Sequence, residues 1–166
     1  MTTIAARILG NGALEIASDR QATGDRIEKL MSPKVIRYGD FYLGACGALT
    51  FMNRIQGLDH SDWPEVVSDR SVNDQVVRKV RSVWRDVRED VGEDSQFSIL
   101  IASRAGLWVI DSDMSVVRSE RFTSIGSGSQ FALGALSAGA GVLDSVEIAR
   151  EYDIYTGGEI DYFLLS

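Results

Sequence analysis

The stretch TTIAARILGNGALEIASD, residues 2–19, predicts the first hairpin of the fold. Two runs of β-favouring residues, 2–8 and 13–18, flank Gly10-Asn11-Gly12. Glycine and asparagine accept the positive φ angles that a tight hairpin turn needs. We therefore predict two antiparallel strands over 2–8 and 13–18, joined by this turn.

Further strands are predicted along the rest of the chain. Residues 97–103 and 107–111 read as a second hairpin across Arg104-Ala105-Gly106, residues 34–38 and 41–45 as a third across Gly39-Asp40, and residues 160–165 as a closing strand. The first two hairpins are similar in pattern but lie far apart in the chain. They therefore indicate two separate sheets.

The clearest helix is predicted by valines that recur at helical spacing between Val72 and Val87, with arginines on the opposite face. Ser71 with Asp74 resembles a capping box at its start, and Asp144 with Glu147 repeats that pattern before a helix that runs through Tyr152. Two more helices are expected over 49–55 and from the 126–128 turn to near Gly139, and residues 57–69 are expected to form a loop. This order predicts one α+β domain over 1–166, with two stacked antiparallel sheets and helices outside.

Composition excludes several classes of protein. The 166 residues carry a net charge of −7 with one Cys and one His, so an intramolecular disulfide and a Cys/His zinc cluster are both excluded. The negative charge argues against binding nucleic acid or an anionic membrane. No apolar run approaches the ~20 residues of a transmembrane helix, and no signal peptide or nucleotide-binding motif is present. We therefore expect a soluble, cytoplasmic protein without cofactor or metal.

Thr2 is a candidate nucleophile because it follows Met1 directly and is small enough for routine Met removal. A processed Thr2 would carry a hydroxyl and a free α-amine, whose reference pKa of ~7.7–8.0 lets it accept the hydroxyl proton. Such a residue is nucleophile and base at once and needs no histidine. We expect this processing to be simple Met removal, without self-cleavage of a long leader. Many unrelated proteins also begin Met-Thr, so the remaining residues decide between the two interpretations.

Six segments, in order, resemble the signature segments of proteasome β-subunits: TTIA (2–5), IASDRQAT (16–23), KVI (34–36), GACG (44–47), IGSGS (125–129) and DIYTGG (153–158). The run from Asp19 to Thr23 is especially similar to HslV, the simpler bacterial relative. The resemblance implies an N-terminal-nucleophile hydrolase fold, which is a four-layer αββα sandwich. It also implies proteolysis by a processed terminal threonine.

The resemblance further implies a role for each matching residue. Thr2 would be the nucleophile, Lys34 would place a cation beside its hydroxyl, and Asp19 would hold Lys34 there. The other catalytic assignments are Gly47 as the oxyanion donor, Ser127 near the terminal amine with Ser129 as second choice, and Asp153 with Thr156 as supports of that amine. Position 156 departs from the family, because Thr stands where Ser is usual. The implied substrate-binding residues are Gln21 and Thr23 on one edge and Ala45, Cys46, Ala48 and Leu49 on the other.

The resemblance also implies partners, namely a polypeptide substrate, a homo-oligomeric ring or double ring, and a possible AAA+ unfoldase. Two alternatives stay open on the same fold. One is an inactive ring-forming homologue that acts as a scaffold, and the other is a small-molecule amidohydrolase. A third is a non-enzymatic binding module of unrelated fold. Cys46 is expected to be a small buried residue, not a nucleophile.

Overall fold

The computed structural model describes residues 2–23, 27–30, 32–92 and 94–166, so Met1 lies outside the described residues. Its strands are β1 (Thr3–Ile8), β2 (Leu14–Asp19), β3 (Gln21–Thr23), β4 (Ile27–Lys29), β5 (Val35–Tyr38), β6 (Phe41–Gly47), β7 (Phe97–Ser103), β8 (Gly106–Asp111), β9 (Val116–Ser119), β10 (Phe122–Gly126) and β11 (Ile160–Leu165). Its helices are α1 (Leu49–Gln56), α2 (Asp69–Ser71), α3 (Val77–Val91), α4 (Ser129–Ser137) and α5 (Val142–Tyr152). A π-helical stretch, Val72–Val76, joins α2 to α3.

The strands form two antiparallel sheets and a separate hairpin. One sheet has the order β10-β1-β2-β11, the other has the order β5-β6-β7-β8-β9, and β3 pairs only with β4. The three predicted hairpins are confirmed as β1–β2, β5–β6 and β7–β8, and the first and last of them lie in different sheets. Strands β3, β4, β9 and β10 were not predicted, because they are short and lack a long apolar alternation.

Three hydrophobic cores define four layers. Ile4 and Ile16 of the four-stranded sheet pack against Leu100 of the five-stranded sheet between the two sheets. Small residues such as Ala5 and Ala149 fill the space between the four-stranded sheet and the helices α4 and α5. Large residues fill the space between the five-stranded sheet and the helices α1 and α3, among them Phe51, Trp84 and Phe97. The predicted four-layer αββα sandwich is therefore confirmed.

The helix starts differ from the prediction. The long helical segment begins one turn early, at Asp69, and its capping box joins Ser68 and Ser71. Ser71 is thus already inside the helix, and Asp74 forms an ion pair with Arg70 at 3.3 Å, so the Ser71–Asp74 capping box is wrong.

Helix α5 also begins without the expected side-chain cap. It starts at Val142 after Gly141, which makes no side-chain cap, and Asp144 lies within its first turn. The Asp144–Glu147 capping box is therefore wrong as well. The predicted loop over 57–69 contains one 3₁₀ turn, His60–Asp62. No helix in the described ranges is long and apolar enough to cross a membrane.

Candidate active site

Strand ends from both sheets meet at one end of the sandwich. Thr3 pairs with Gly126 and Ile4 with Ser18, so the residue before β1 lies beside the ends of β2 and β10. In the five-stranded sheet, Val35 pairs with Gly44 and Gly47 with Phe97. These registers bring Thr2, Asp19, Lys34, Gly47 and Gly126 together, although they are spread over 125 positions of the chain.

Thr2, Asp19 and Lys34 form a closed polar triangle that is almost fully buried, with 1%, 0% and 1% of each residue exposed. The Thr2 hydroxyl donates to Asp19 Oδ1 at 2.7 Å and accepts a hydrogen bond from Lys34 Nζ. Lys34 Nζ also lies 2.9 Å from Asp19 Oδ1. The hydroxyl oxygen of Thr2 is therefore held directly against a cation.

Asp19 is fixed by backbone donors as well as by these side chains. Its Oδ1 accepts from the Thr3 amide at 2.9 Å, and its Oδ2 accepts from the Gln21 and Gly157 amides at 3.1 Å each. A buried carboxylate is costly unless its lone pairs are used, and charge-assisted bonds of this kind are the stronger ones. The carboxylate is therefore held in one orientation, which fixes the position of Lys34.

The Lys34 ammonium is buried as one half of an ion pair. Burial lowers its pKa below the ordinary lysine value, although the Asp19 carboxylate opposes this effect. The ammonium also donates to the carbonyl oxygen of Gln21, and the Lys34 carbonyl accepts from Gln56 Nε2 at 2.8 Å. The side chain and the backbone of Lys34 are both anchored.

A second polar cluster surrounds Asp153, just after α5. Asp153 Oδ2 accepts from the hydroxyls of Ser127 and Thr156, each at 2.6 Å, and the Thr156 hydroxyl lies 2.6 Å from that of Thr3. Burial raises the pKa of Asp153, but the hydrogen bonds from Ser127 and Thr156 outweigh it and bring the pKa below its ordinary value. The Ser127 hydroxyl also reaches the carbonyl oxygen of Thr2 at 3.4 Å, which connects this cluster to the first.

Two glycines of the site cannot carry a side chain. Gly47 has a φ of +111°, and a Cβ there would collide with the Gln96 carbonyl oxygen and lie 2.6 Å from Phe97 Cα. Gly126 has a φ of +98°, and a Cβ there would collide with the Thr2 carbonyl. Both positions require the left-handed conformation that favours glycine, so the backbone on each side of Thr2 is closely determined.

A cavity of 390 Å³ opens beside Thr2. Thr2, Cys46, Gly47 and Ser127 line it, and all four were singled out from the sequence. Five polar lining residues were not predicted, namely Ser98, Asp111, Gln96, Ser112 and Asp113. The predicted turn at 104–106 held the signal for the first two, because its register places Ser98 directly opposite Asp111.

The other predicted site residues lie in different environments. Ser129 is the first residue of α4, and its hydroxyl makes no hydrogen bond within the described part of the chain. The Gln21 side chain donates to the Thr23 hydroxyl at 3.2 Å and to the Ile154 carbonyl at 3.0 Å, which keeps both residues on the β3 hairpin. Ala48 and Leu49 stand at the start of α1.

Ala45 is more deeply buried than Ala48 and Leu49, which were assigned to the same substrate-binding edge. Ala45 is fully buried in the core, and its amide donates to the Lys34 carbonyl at 3.4 Å inside the sheet. This amide is used inside the sheet, and substrate binding at Ala45 stays a prediction. Its neighbour Cys46 is 6% exposed, and burial raises the pKa of its thiol to about 11, as expected for a structural cysteine. Within the described residues, no three His, Cys, Asp or Glu side chains are grouped to hold a metal ion.

Comparison with solved structures finds the same fold in proteasome-like proteins. BPH from Thiobacillus denitrificans matches with a TM-score of 0.79 and 23% identity over 98% of this chain and 97% of that one, and another structure of it is a complex with epoxomicin. Eukaryotic HslV from Trypanosoma brucei matches with a TM-score of 0.70 and 20% identity, over 97% of this chain and 98% of that one. Anbu, an ancestral beta-subunit from Yersinia bercovieri, matches with a TM-score of 0.75 and 16% identity, over 98% of this chain and 81% of that one.

No protein-family model matches the chain, and no curated protein matches it. The likeness is therefore one of fold. At that level the resemblance to HslV and proteasome β-subunits is confirmed, and a binding module of unrelated fold is excluded.

Proposed function

We propose that this protein is a threonine-type peptidase in which Thr2, after removal of Met1, is the N-terminal nucleophile. One observation carries the proposal. Thr2 lines a cavity, and its hydroxyl accepts a hydrogen bond from the Lys34 ammonium and donates one to Asp19. A cation in contact with a hydroxyl oxygen stabilises the alkoxide that forms during attack.

The α-amine of processed Thr2 is the base in this proposal. Its reference pKa of ~7.7–8.0 lies near the operating pH, so a useful fraction of this amine is neutral and able to accept the hydroxyl proton. The Lys34 charge also favours the neutral form of a nearby amine. Ser127, Asp153 and Thr156 supply the hydroxyl and carboxylate groups that would orient this amine.

The reaction begins when Thr2 Oγ1 bonds to the scissile carbonyl carbon and its proton passes to the α-amine. The Gly47 amide donates to the oxyanion, and losing such a donor typically costs about 10²–10³ in rate. The α-ammonium then gives its proton to the leaving nitrogen as the C–N bond breaks, which leaves an ester on Thr2. Water, deprotonated by the same amine, adds to the ester carbon, and the C–O bond to Thr2 breaks to restore the hydroxyl.

The substrate of this reaction is an extended polypeptide. In the proposal it lies as an added strand between the β3 hairpin, with Gln21 and Thr23, and the segment that contains Ala48 and Leu49. Main-chain hydrogen bonds on both sides would hold the scissile bond at Thr2.

The protein is further proposed to form a homo-oligomeric ring or double ring in the cytoplasm, with an AAA+ unfoldase as a possible partner. Large apolar side chains exposed on the α4–α5 side support assembly, among them Phe131, Tyr152 and Ile154 with 42%, 66% and 77% exposed. Native mass spectrometry would give the subunit number directly. A monomer at micromolar concentration would contradict the ring.

Intact mass spectrometry tests the catalytic proposal. Wild-type protein should lack Met1, gain the mass of a β-lactone on Thr2, and lose peptide turnover in proportion to labelling. Epoxomicin, which is bound in the Thiobacillus BPH structure, serves as a second reagent. The Thr2→Ala variant is the matched control and should remain unlabelled and inactive.

Two other results would favour the alternatives. Retained Met1 with no labelling would support an inactive scaffold. Turnover of simple amides without turnover of peptides would support an amidohydrolase.

A further inference from the structure

The cavity beside Thr2 is lined by several side chains that have no role in the proposed reaction. Cys46 and Phe97 give it an apolar wall, while Ser98, Asp111 and Asp113 are polar residues in its lining. Among the described residues, its lining includes two carboxylates and no lysine, arginine or histidine. A space of 390 Å³ with this distribution suits a long side chain that has apolar methylenes and a cationic end.

The Asp111 carboxylate is held in place and still has capacity to bind. Its Oδ1 accepts from the Ser98 hydroxyl at 2.5 Å across the β7–β8 pair. An ionised carboxylate has about four acceptor positions, so this bond leaves room for a ligand. Within the described residues, neither Asp111 nor Asp113 forms an ion pair with a basic side chain.

The Asp113 carboxylate is also held by hydrogen bonds. Hydrogen bonds from the side chain and amide of Ser115 lower its pKa below the ordinary value, and the amide lies 2.8 Å from Oδ1. Asp113 also lines an adjoining cavity of 330 Å³, and Arg88 is another lining residue of that cavity. Asp111 lines the cavity at Thr2 but not the adjoining one. Asp111 should therefore contribute more to the charge at Thr2 than Asp113.

The position of the cavity relative to Thr2 identifies the part of the substrate that it meets. Of the residues assigned to the edges of the bound strand, Cys46 lines it, whereas Gln21, Thr23, Ala48 and Leu49 do not, so the cavity extends beyond those edges. Ser127 does line it, and this residue belongs to the cluster that would orient the α-amine. Because that amine protonates the leaving nitrogen, the cavity lies on the leaving-group side of the scissile bond.

We propose that this cavity is a subsite for the residue that follows the scissile bond, and that Asp111 and Asp113 select lysine or arginine there. The inference rests on the proposed peptidase function and names its preferred substrate class. The apolar wall contacts the methylenes, and Asp111 accepts hydrogen bonds from the cationic end.

Matched internally quenched peptides test the inference. They share one acyl side and differ only after the scissile bond, where they carry Lys, norleucine or Glu. For wild-type protein, kcat/KM should be about tenfold higher for Lys than for norleucine, the size of one charge-assisted contact. Glu should be the poorest residue. The Lys preference should fall as ionic strength rises, because the carboxylates are not fully buried.

Variants assign the preference to the carboxylates. Asp111→Asn should reduce the Lys-to-norleucine ratio to about threefold, Asp113→Asn should reduce it less, and the double variant should bring it close to one. Asp144→Asn, an exposed carboxylate on α5, is the matched control and should keep the wild-type ratio. Ser98→Ala removes the donor that fixes Asp111 and gives a second test if Asp111→Asn folds poorly.

Separate readouts distinguish this inference from the function on which it rests. β-Lactone labelling and turnover of an aminocoumarin peptide, which has no residue after the scissile bond, report the peptidase alone. Peptide turnover with equal rates for Lys and norleucine would overturn the subsite. A basic preference confined to the residue before the bond would overturn it too. No labelling and no turnover of any peptide would contradict the peptidase and the subsite together.

Discussion

Two carboxylates flank Thr2, and their surroundings differ in kind. Asp19 accepts from the Thr2 hydroxyl, from the Lys34 ammonium and from three backbone amides. Asp153 accepts from two hydroxyls and from the Tyr155 amide at 3.1 Å. A carboxylate held by backbone and a cation is rigid and stabilises charge, whereas one held by hydroxyls can reorient its donors. We infer that the Asp19 cluster activates the nucleophile and that the Asp153 cluster holds the amine.

The largest expected effect comes from removing the Lys34 ammonium from the Asp19 cluster. Lys34→Met should lower kcat by about 10³-fold or more, because the alkoxide loses its only direct cation among the described contacts. Steady-state kinetics on an aminocoumarin peptide measures the loss. Lys79→Met, on the partly exposed face of α3, is the control and should retain activity. Activity within tenfold of wild type would contradict the role of Lys34.

Stability should separate the two carboxylates next. Asp19→Asn leaves the buried Lys34 ammonium without its partner, which typically costs about 3–5 kcal/mol of unfolding free energy. Asp153→Asn replaces a carboxylate that accepts neutral donors, and the expected loss is about 1–3 kcal/mol. Urea unfolding of the two variants and wild type tests the order. Equal losses would mean that the two clusters do not differ as described.

Smaller kinetic effects are expected at the hydroxyls of the second cluster. Ser127→Ala should lower kcat by about 10–100-fold, in the lower part of the range for groups that support proton transfer. Thr156→Ser keeps the hydroxyl and should remain close to wild type, whereas Thr156→Val should resemble Ser127→Ala. If Thr156→Ser were as damaging as Thr156→Val, the methyl group and not the hydroxyl would carry the role.

The pH dependence of stability should show the smallest effect. The pKa of Asp153 is lowered in the folded state, so its contribution is complete above the unfolded value of ~3.9 and is lost as pH falls through the folded value. The pKa of Lys34 is lowered by burial, so burying its charged form costs unfolding free energy at neutral pH. This cost decreases as pH rises toward the unfolded value of ~10.4. Urea midpoints from pH 3 to 10 should therefore show a shallower acid limb in Asp153→Asn. An unchanged acid limb would mean that Asp153 does not contribute to the pH dependence of stability.

Much of the fold could be predicted because its turns carry strong local signals. The residues Gly10-Asn11-Gly12 indicate a hairpin from their backbone preferences alone, and the β1–β2 pairing agrees. Helix starts were harder, because several Ser and Asp side chains near position 70 can each serve as a cap. The structure selects Ser68, since this start extends the helix toward Trp108, whose indole donates to Asp69 at 2.7 Å.

The site was predictable in part for a similar reason. Thr2, Asp19 and Lys34 lie in segments that resemble a known family, and they do meet in space. The backbone donors to Asp19 could not be predicted, because every residue carries an amide and only the tertiary fold selects Gly157. Asp111 was overlooked because its position at the cavity comes from the β7–β8 register, which the predicted turn at 104–106 implies but which none of the family segments includes.

The alanine-rich layer under α5 sets how near that helix lies to the sheet, and thereby where Asp153 stands at its end. Ala149 is fully buried, and a Cβ on Gly128 would lie only 3.1 Å from its methyl group. A larger side chain at 149 would lift the helix and carry the carboxylate away from Ser127 without altering any polar group. Interlayer spacing thus sets the geometry of the Asp153 cluster, and it is controlled by residues that have no functional group at all.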